Sequence, residues 1–339
     1  FDITAALRRG ARNLLAVEVD NTILEKAIPD RKWTGWWNFG GINRAVHLET
    51  RPAVFTEDVA YETRMADGGW RFDLRLRTSA AGAMPGSIDA RLADSKGRVV
   101  WTSSEKRNFA AGITETKLST SLKEIAAWSP ESPALYSLLV RTTTSRGVHE
   151  KAVRLGFRQI QVEGTAFLLN SKPVFFKGVN RHEMRRGAGM TLSRNDTRND
   201  LTDIKALGAN FVRTAHYTQD LSFFELADEL GLLVWTEIPA WQTLADVLGD
   251  EQVWRAYGEP QLREMVEGYR QFCSVVVWSV GNEFPSDKEP VRNYVERAVK
   301  FVRSLDSTRL ITFASDRHDR DISFAPVDFI AINEYYGWY

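Results

Sequence analysis

The string VVVWSVGNEF (275–284) carries an unbroken apolar run into the pair Asn282-Glu283. A run of that length reads as a parallel strand buried on both faces. In a barrel of alternating strands and helices, a side chain at the C-terminal end of such a strand points into the mouth where chemistry is done. Glu283 is placed there as a carboxylic acid able to give and take a proton, provided its surroundings raise its pKa so that it stays protonated near neutrality. Trp278, upstream on the same strand, is a candidate for the apolar part of those surroundings. Asn282 can donate one hydrogen bond and accept another, or can simply turn the chain.

Other strand ends offer partners. Arg213 and His216 lie at the end of NFVRTAHY (210–217), and Arg181, His182 and Glu183 follow VFFKGVN (174–180). At a barrel mouth Arg213 would position a carboxylate and His216 would hydrogen-bond a ligand; plain salt bridges and a satisfied core histidine are the alternatives, the latter also for His182. Glu237, ending LLVWTEIP (232–239), is either a carboxylate that tunes Glu283 or the structural partner of Arg213. Trp241 is either a platform for a flat ring or packing. Asn333 and Tyr335 share one side of DFIAINEYY (328–336), with Glu334 on the other. No HExxH-like spacing joins the histidines, so no metal is expected, and no cofactor is implied.

The elements that must position these residues fall into three stretches. Residues 1–51 read as strands, at LLAVEVDN (14–21) and INRAVHLET (42–50), too few for a sandwich of their own and so the tail of a larger β-domain. Residues 52–156 alternate throughout: in WRFDLRLRT (70–78), Trp70, Phe72, Leu74 and Leu76 share a face, and Asp67-Gly68-Gly69 and Lys96-Gly97 mark hairpins. A sandwich of immunoglobulin-like size fits. From 157 to 339 six strands alternate with helices, one in which Leu201, Ile204 and Leu207 recur before Gly208 and others at about 221–230, 260–272 and 290–305, which implies a parallel sheet. An open doubly wound sheet is the rival, but no glycine-rich phosphate loop follows the first strand. The reading is a (β/α)₈ barrel represented through its sixth strand.

Composition narrows the function classes. Lysine plus arginine and aspartate plus glutamate number 44 each in 339 residues, which gives no electrostatic reason to expect nucleic acid or an anionic membrane as partner. No apolar run reaches membrane-spanning length. The single cysteine, Cys273, excludes an internal disulfide and leaves the compartment open between cytoplasm, periplasm and exterior; the chain starts at Phe1 without an initiator methionine. Assembly of identical copies is left open.

Several strings together resemble glycoside hydrolase family 2, the group of β-galactosidases, β-glucuronidases and β-mannosidases. WWNFGGINR (36–44) resembles the end of its sugar-binding jelly-roll, and SPESPALYSLLV (129–140) and RLGFRQIQV (154–162) the close of its immunoglobulin-like sandwich. FLLNSKPVFFKGVNRHE (167–183), FVRTAHY, ADELGLLVWTE (227–237), VVWSVGNE (276–283) and INEYYGWY (332–339) resemble barrel strand ends. The resemblance implies a retaining exo-β-glycosidase acting on a glycoside, oligosaccharide or polysaccharide, with Glu283 as general acid/base, Asn282 on the sugar's 2-hydroxyl and Tyr335 orienting the nucleophile. That nucleophile belongs to a seventh strand, beyond the sixth seen here; a physical chain ending at Tyr339 would be an inactive, aggregation-prone open barrel. The alternative is a carbohydrate-binding scaffold with its chemistry lost. Gly35, where glucuronidase-like patterns carry an acid, disfavours a glucuronide, and NRHE (180–183) resembles the galactosidase form.

Overall fold

The computed structural model describes residues 1–30 and 35–338; Tyr339, the last residue of the INEYYGWY string, lies outside them. Seven antiparallel strands come first: β1 (Val54–Ala66), β2 (Gly69–Ala80), β3 (Met84–Ala93), β4 (Val99–Phe109), β5 (Gly112–Leu122), β6 (Tyr136–Thr144) and β7 (Gly147–Leu155). They form two sheets, ordered β1-β2-β5 and β4-β3-β6-β7. The alternation of β2 buries Trp70, Phe72, Leu74 and Leu76 against Ile88 and Leu92 of β3 and Leu138 and Val140 of β6. Asp67 and Gly68 both take positive φ in the two-residue β1–β2 turn, the backbone that the right-handed twist of a hairpin favours.

Residues 14–21 and 42–50 do not form the expected strands; the described residues before β1 contain none. Leu14, Val17, Val19, Val46 and Leu48 are exposed. Alternation supplies an apolar face, but a strand is held by a neighbour's hydrogen bonds, and these segments have no strand beside them.

After the sandwich, an antiparallel meander of β8 (Ile160–Glu163), β9 (Ala166–Leu169) and β10 (Lys172–Val174) leads to six parallel strands in consecutive order: β11 (Gly178–Asn180), β12 (Phe211–Thr214), β13 (Leu233–Glu237), β14 (Val275–Asn282), β15 (Leu310–Ser315) and β16 (Ala331–Ile332). Between them run α1 (Arg194–Ala206), α2 (Leu221–Leu230), the short α3 (Ala245–Leu248) and α4 (Glu251–Val253), α5 (Glu259–Tyr269) and α6 (Glu289–Leu305). The first and last strands are shorter than expected: of VFFKGVN only 178–180 pairs with β12, and of DFIAINEYY only 331–332 pairs with β15.

The two faces of this sheet differ. Val212, Val234, Val275, Val280 and Ile311 pack against α1, α2, α5 and α6 in one continuous core. On the other face Phe211, Leu233, Trp235, Val277 and Leu310 meet Ile160 and Leu169 of the meander and Trp128, with no helix. Helices on one face only are the arrangement of a barrel wall and not of a doubly wound sheet. Local sequence explains the helices. Asp220 caps α2, and Gly231 ends it at φ 71° where a Cβ would also collide with the carbonyl of Pro130. In α6, Val291, Tyr294, Val295, Ala298 and Val302 make a single buried stripe.

The sandwich is bolted to the N-terminal ends of the barrel strands. Buried Arg158, just after β7, donates to the carbonyls of Cys273 (3.1 Å), Val275 (2.9 Å) and Thr308 (2.9 Å). Trp128 Nε1 reaches the Asp228 carbonyl at 2.9 Å, and the Tyr61 hydroxyl that of Gln271 at 2.9 Å. Substituting Arg158→Met removes a charged donor from three carbonyls, of which only that of Val275 keeps another guanidinium, that of Arg309. At about 1.5–3 kcal/mol for a hydrogen bond to a charged group, reduced by local relaxation, we expect a loss of about 3–5 kcal/mol in urea unfolding; an unchanged midpoint would contradict the role of this contact.

Candidate active site

Alternation along β12 and β13 turns Arg213 and Glu237 to the same inner face as Phe211, Leu233 and Trp235, nearer the C-terminal mouth. There they form a buried pair: Arg213 Nε and Nη2 donate to Glu237 at 3.0–3.1 Å. Glu237 also accepts from Trp235 Nε1 at 2.8 Å, and His216 Nδ1 lies 2.6 Å from its Oε1. Burial pushes the Glu237 carboxyl up, but Arg213 and His216 together hold it below its ordinary value. An ionised carboxylate only accepts, so His216 Nδ1 carries the hydrogen. Glu237 is thus the structural partner of Arg213, and no hydrogen bond joins it to Glu283 among the described residues.

The network continues across the strands. Arg213 Nη2 donates to Asn282 Oδ1 at 2.6 Å, and Asn333 Nδ2 donates both to that oxygen (3.1 Å) and to Glu283 Oε1 (2.6 Å). The Tyr335 hydroxyl donates to the same Oε1, and Gln242 Nε2 to Glu283 Oε2 at 3.1 Å. The β14–β15 register slips between Ser279 and Asn282, and Glu283 follows at φ 50° with its N–H on the Ala314 carbonyl. Such irregularities re-aim side chains; here the slip sets Asn282 and Glu283 among the other strand ends.

Two expectations about the surroundings of Glu283 are corrected. Its carboxyl is lowered, not raised: burial pushes it up, but the hydrogen bonds from Tyr335, Asn333 and Gln242 outweigh that. Trp278 is not beside it, because strand alternation sends that ring to the helix-facing core, where Nε1 donates to Asp306 at 2.9 Å.

His182, His216, Trp241 and Tyr217 form an aromatic group around Trp36, with ring centroids 5.5–6.4 Å from it. Burial and the neighbouring His216 push His182 down to about 4, so it is neutral near pH 7, and its buried Nδ1 has no hydrogen-bond partner among the described residues. Arg181 and Glu183 leave this group. Arg181 pairs with Asp200 of α1 at 2.8 Å, while Glu183 holds the Asp220 N–H and pairs with Arg44 at 2.6 Å. Glu334 is turned out, with its carboxyl more than half exposed. A cavity of about 500 Å³ lies elsewhere, between Arg44, Asp220, Pro239 and Met265; the converging polar groups, not that hollow, mark the site.

Gln242 and Tyr217 were not foreseen. Gln242 follows β13 by five residues and reaches Glu283 only because Trp241 bridges to Asn282, a pairing with no local sequence signal.

A one-sided parallel α/β sheet carrying a β-sandwich at its base, with a gripped carboxylate at its strand ends, has the arrangement of a TIM-barrel wall with an accessory β-domain. Residues 160–339 match the model of the TIM barrel domain of glycosyl hydrolases family 2, and residues 54–158 match that of glycosyl hydrolases family 2. The chain belongs to glycosyl hydrolase family 2. It is 30% identical over 315 residues to the β-glucuronidase of Mus musculus, covering 90% of this chain and 46% of that protein. It is 29% identical over 326 residues to a β-galactosidase of Clostridium acetobutylicum, covering 92% and 35%. The crystal structure of a GH2 β-galacturonidase from Eisenbergiella tayi bound to galacturonate is similar with a TM-score of 0.85 and 28% identity, over 94% of this chain and 56% of that one. The chain therefore spans 35–56% of the length of these relatives.

Removing one member of the buried pair strands the other. We expect Glu237→Gln and Arg213→Met each to cost about 3–5 kcal/mol, and the double variant less than their sum; strict additivity in urea titrations would contradict the coupling. Because Glu237 binds its proton more weakly folded than unfolded, its contribution is full above the unfolded value near 4.5 and is lost as pH falls through the lower folded one. The wild type should thus lose more stability than the double variant on acidification below about pH 4.5.

Proposed function

We propose that this chain carries the acid/base half of a retaining exo-β-glycosidase, with Glu283 protonating the glycosidic oxygen and later activating water. The observation that carries this reading is the grip, in a family 2 chain, on one buried carboxylate by Asn333 and Tyr335 from beyond β16 and by Gln242 from the loop after β13, with Arg213 of β12 linked to it through Asn282 and Asn333. Asn282, its carbonyl oxygen occupied by Arg213 and Asn333, offers its NH₂ to a sugar hydroxyl. His216 and the neutral His182 offer ring nitrogens to the same sugar, and Trp241 with Trp36 an aromatic wall. Residues 1–51 would be the tail of a jelly-roll, 52–156 the immunoglobulin-like sandwich and 157–339 the barrel through its sixth strand.

The nucleophile is not Glu237, whose oxygens are filled by Arg213, His216 and Trp235. It would come from a seventh strand, with its carboxyl about 5–5.5 Å from that of Glu283. A like charge at that distance raises a carboxyl pKa. It would thus supply what Glu283 lacks here, keeping it protonated for the first step; neutralising the nucleophile in the glycosyl-enzyme would then release Glu283 to act as base. The named relatives include β-glucuronidases, β-galactosidases and a β-galacturonidase, so the terminal sugar would be a β-linked hexose or hexuronic acid.

Glu283→Gln should slow hydrolysis of aryl β-glycosides with poor leaving groups by about 10²–10⁴-fold. It should slow dinitrophenyl glycosides far less in the first step, with azide restoring turnover. Undiminished hydrolysis of a poor-leaving-group substrate would contradict the assignment.

A further inference from the structure

The two oxygens of Glu283 are held differently. Oε1 receives both the Tyr335 hydroxyl and Asn333 Nδ2, so it cannot take a proton without losing a donor. Among the described residues, Oε2 receives Gln242 Nε2 alone, at 3.1 Å. The Gln242 side chain is presented deliberately: its backbone sits at φ 51°, a left-handed conformation uncommon for glutamine, and its N–H donates to the Asn282 carbonyl at 2.8 Å. One turn earlier in this link, the Asn282 N–H donates to the Ala240 carbonyl at 2.9 Å. The loop after β13 is thereby clamped to the end of β14.

We propose that Gln242 is a positioning residue for Glu283, holding Oε2 as the oxygen that exchanges the proton by donating to its ionised form. The proposal rests on the reading of Glu283 as acid/base and adds which oxygen reacts and what governs it. A primary amide suits the ionised state. Its NH₂ donates to the carboxylate and so favours the charged form. The titratable and charged neighbours facing Glu283 are Tyr335 beyond β16, His216 beyond β12 and Asp316 beyond β15, with the Arg213–Glu237 pair acting through Asn282. None of these is shown bonding to Oε2 among the described residues.

The test is a ¹³C-NMR titration of the Glu283 carboxyl, assigned by its disappearance in Glu283→Gln, in the parent protein and in Gln242→Leu and Gln242→Asn. A donor to the carboxylate favours its charged form, so losing it should raise the titration midpoint, by about 0.5–1 pH unit. Asparagine tolerates positive φ but falls one methylene short, so it decides the matter if the leucine variant does not fold. A midpoint that is unchanged or lower in the folded variants would overturn the proposal. The readout needs no turnover: absence of hydrolysis would defeat the enzymatic reading, while the titration would still judge Gln242.

Discussion

The buried pair of Arg213 and Glu237 is the constraint on which the mouth of this sheet depends. A carboxylate with no exposed surface is tolerated only where its lone pairs are filled. Arg213, His216 and Trp235 fill them from three directions, which fixes β12 and β13 against each other to within a hydrogen-bond length. Arg213 has one further reach, to Asn282, and through Asn282 and Asn333 the order passes to Glu283. The links run from β12 to β14 and from β14 to the residue after β16, so the position of the Glu283 carboxyl follows from how these strands are set against one another.

The opposite end of the sheet is fixed by a different device. Arg158 from the sandwich supplies its charge to backbone carbonyls instead of to an acid, and burial pushes its guanidinium down to about 10. It shares the Val275 carbonyl with Arg309, which is itself paired with Asp306 at 2.6 Å. The strand carrying Asn282 and Glu283 is thus gripped at both ends, by guanidinium groups below and by the polar chain above. Side chains held in this way on rigid strands are suited to placing a proton within the narrow tolerance that catalysis demands.

The parts of this fold legible in the sequence are those whose neighbours are implied by their own pattern. The alternation of β2 and the stripe of α6 each define a buried face without reference to anything distant. That Arg213, Asn282 and Asn333 lie close together was legible because each sits at or just after the end of a strand, whereas Tyr335 lies three residues beyond β16. Where a segment depends on a partner that its own residues do not encode, the reading went astray. Residues 14–21 alternate yet have no neighbouring strand, and the two ends of the parallel sheet pair over only two or three residues. The pKa of Glu283 was misjudged for the same reason: burial was foreseeable, but three donors from 41–52 residues away were not all so. Gln242 gave no signal, since glutamine at positive φ has no characteristic sequence context.

The central claim is that Glu283 moves a proton while a second carboxylate forms the covalent bond to sugar. Incubating the native-length protein with 2-deoxy-2-fluoro β-glycosides and mapping the labelled peptide by mass spectrometry tests it most directly. The account predicts a one-sugar adduct on a carboxylate other than Glu283. A label on Glu283 itself, or a protein that hydrolyses β-glycosides with inversion and accumulates no adduct, would contradict it.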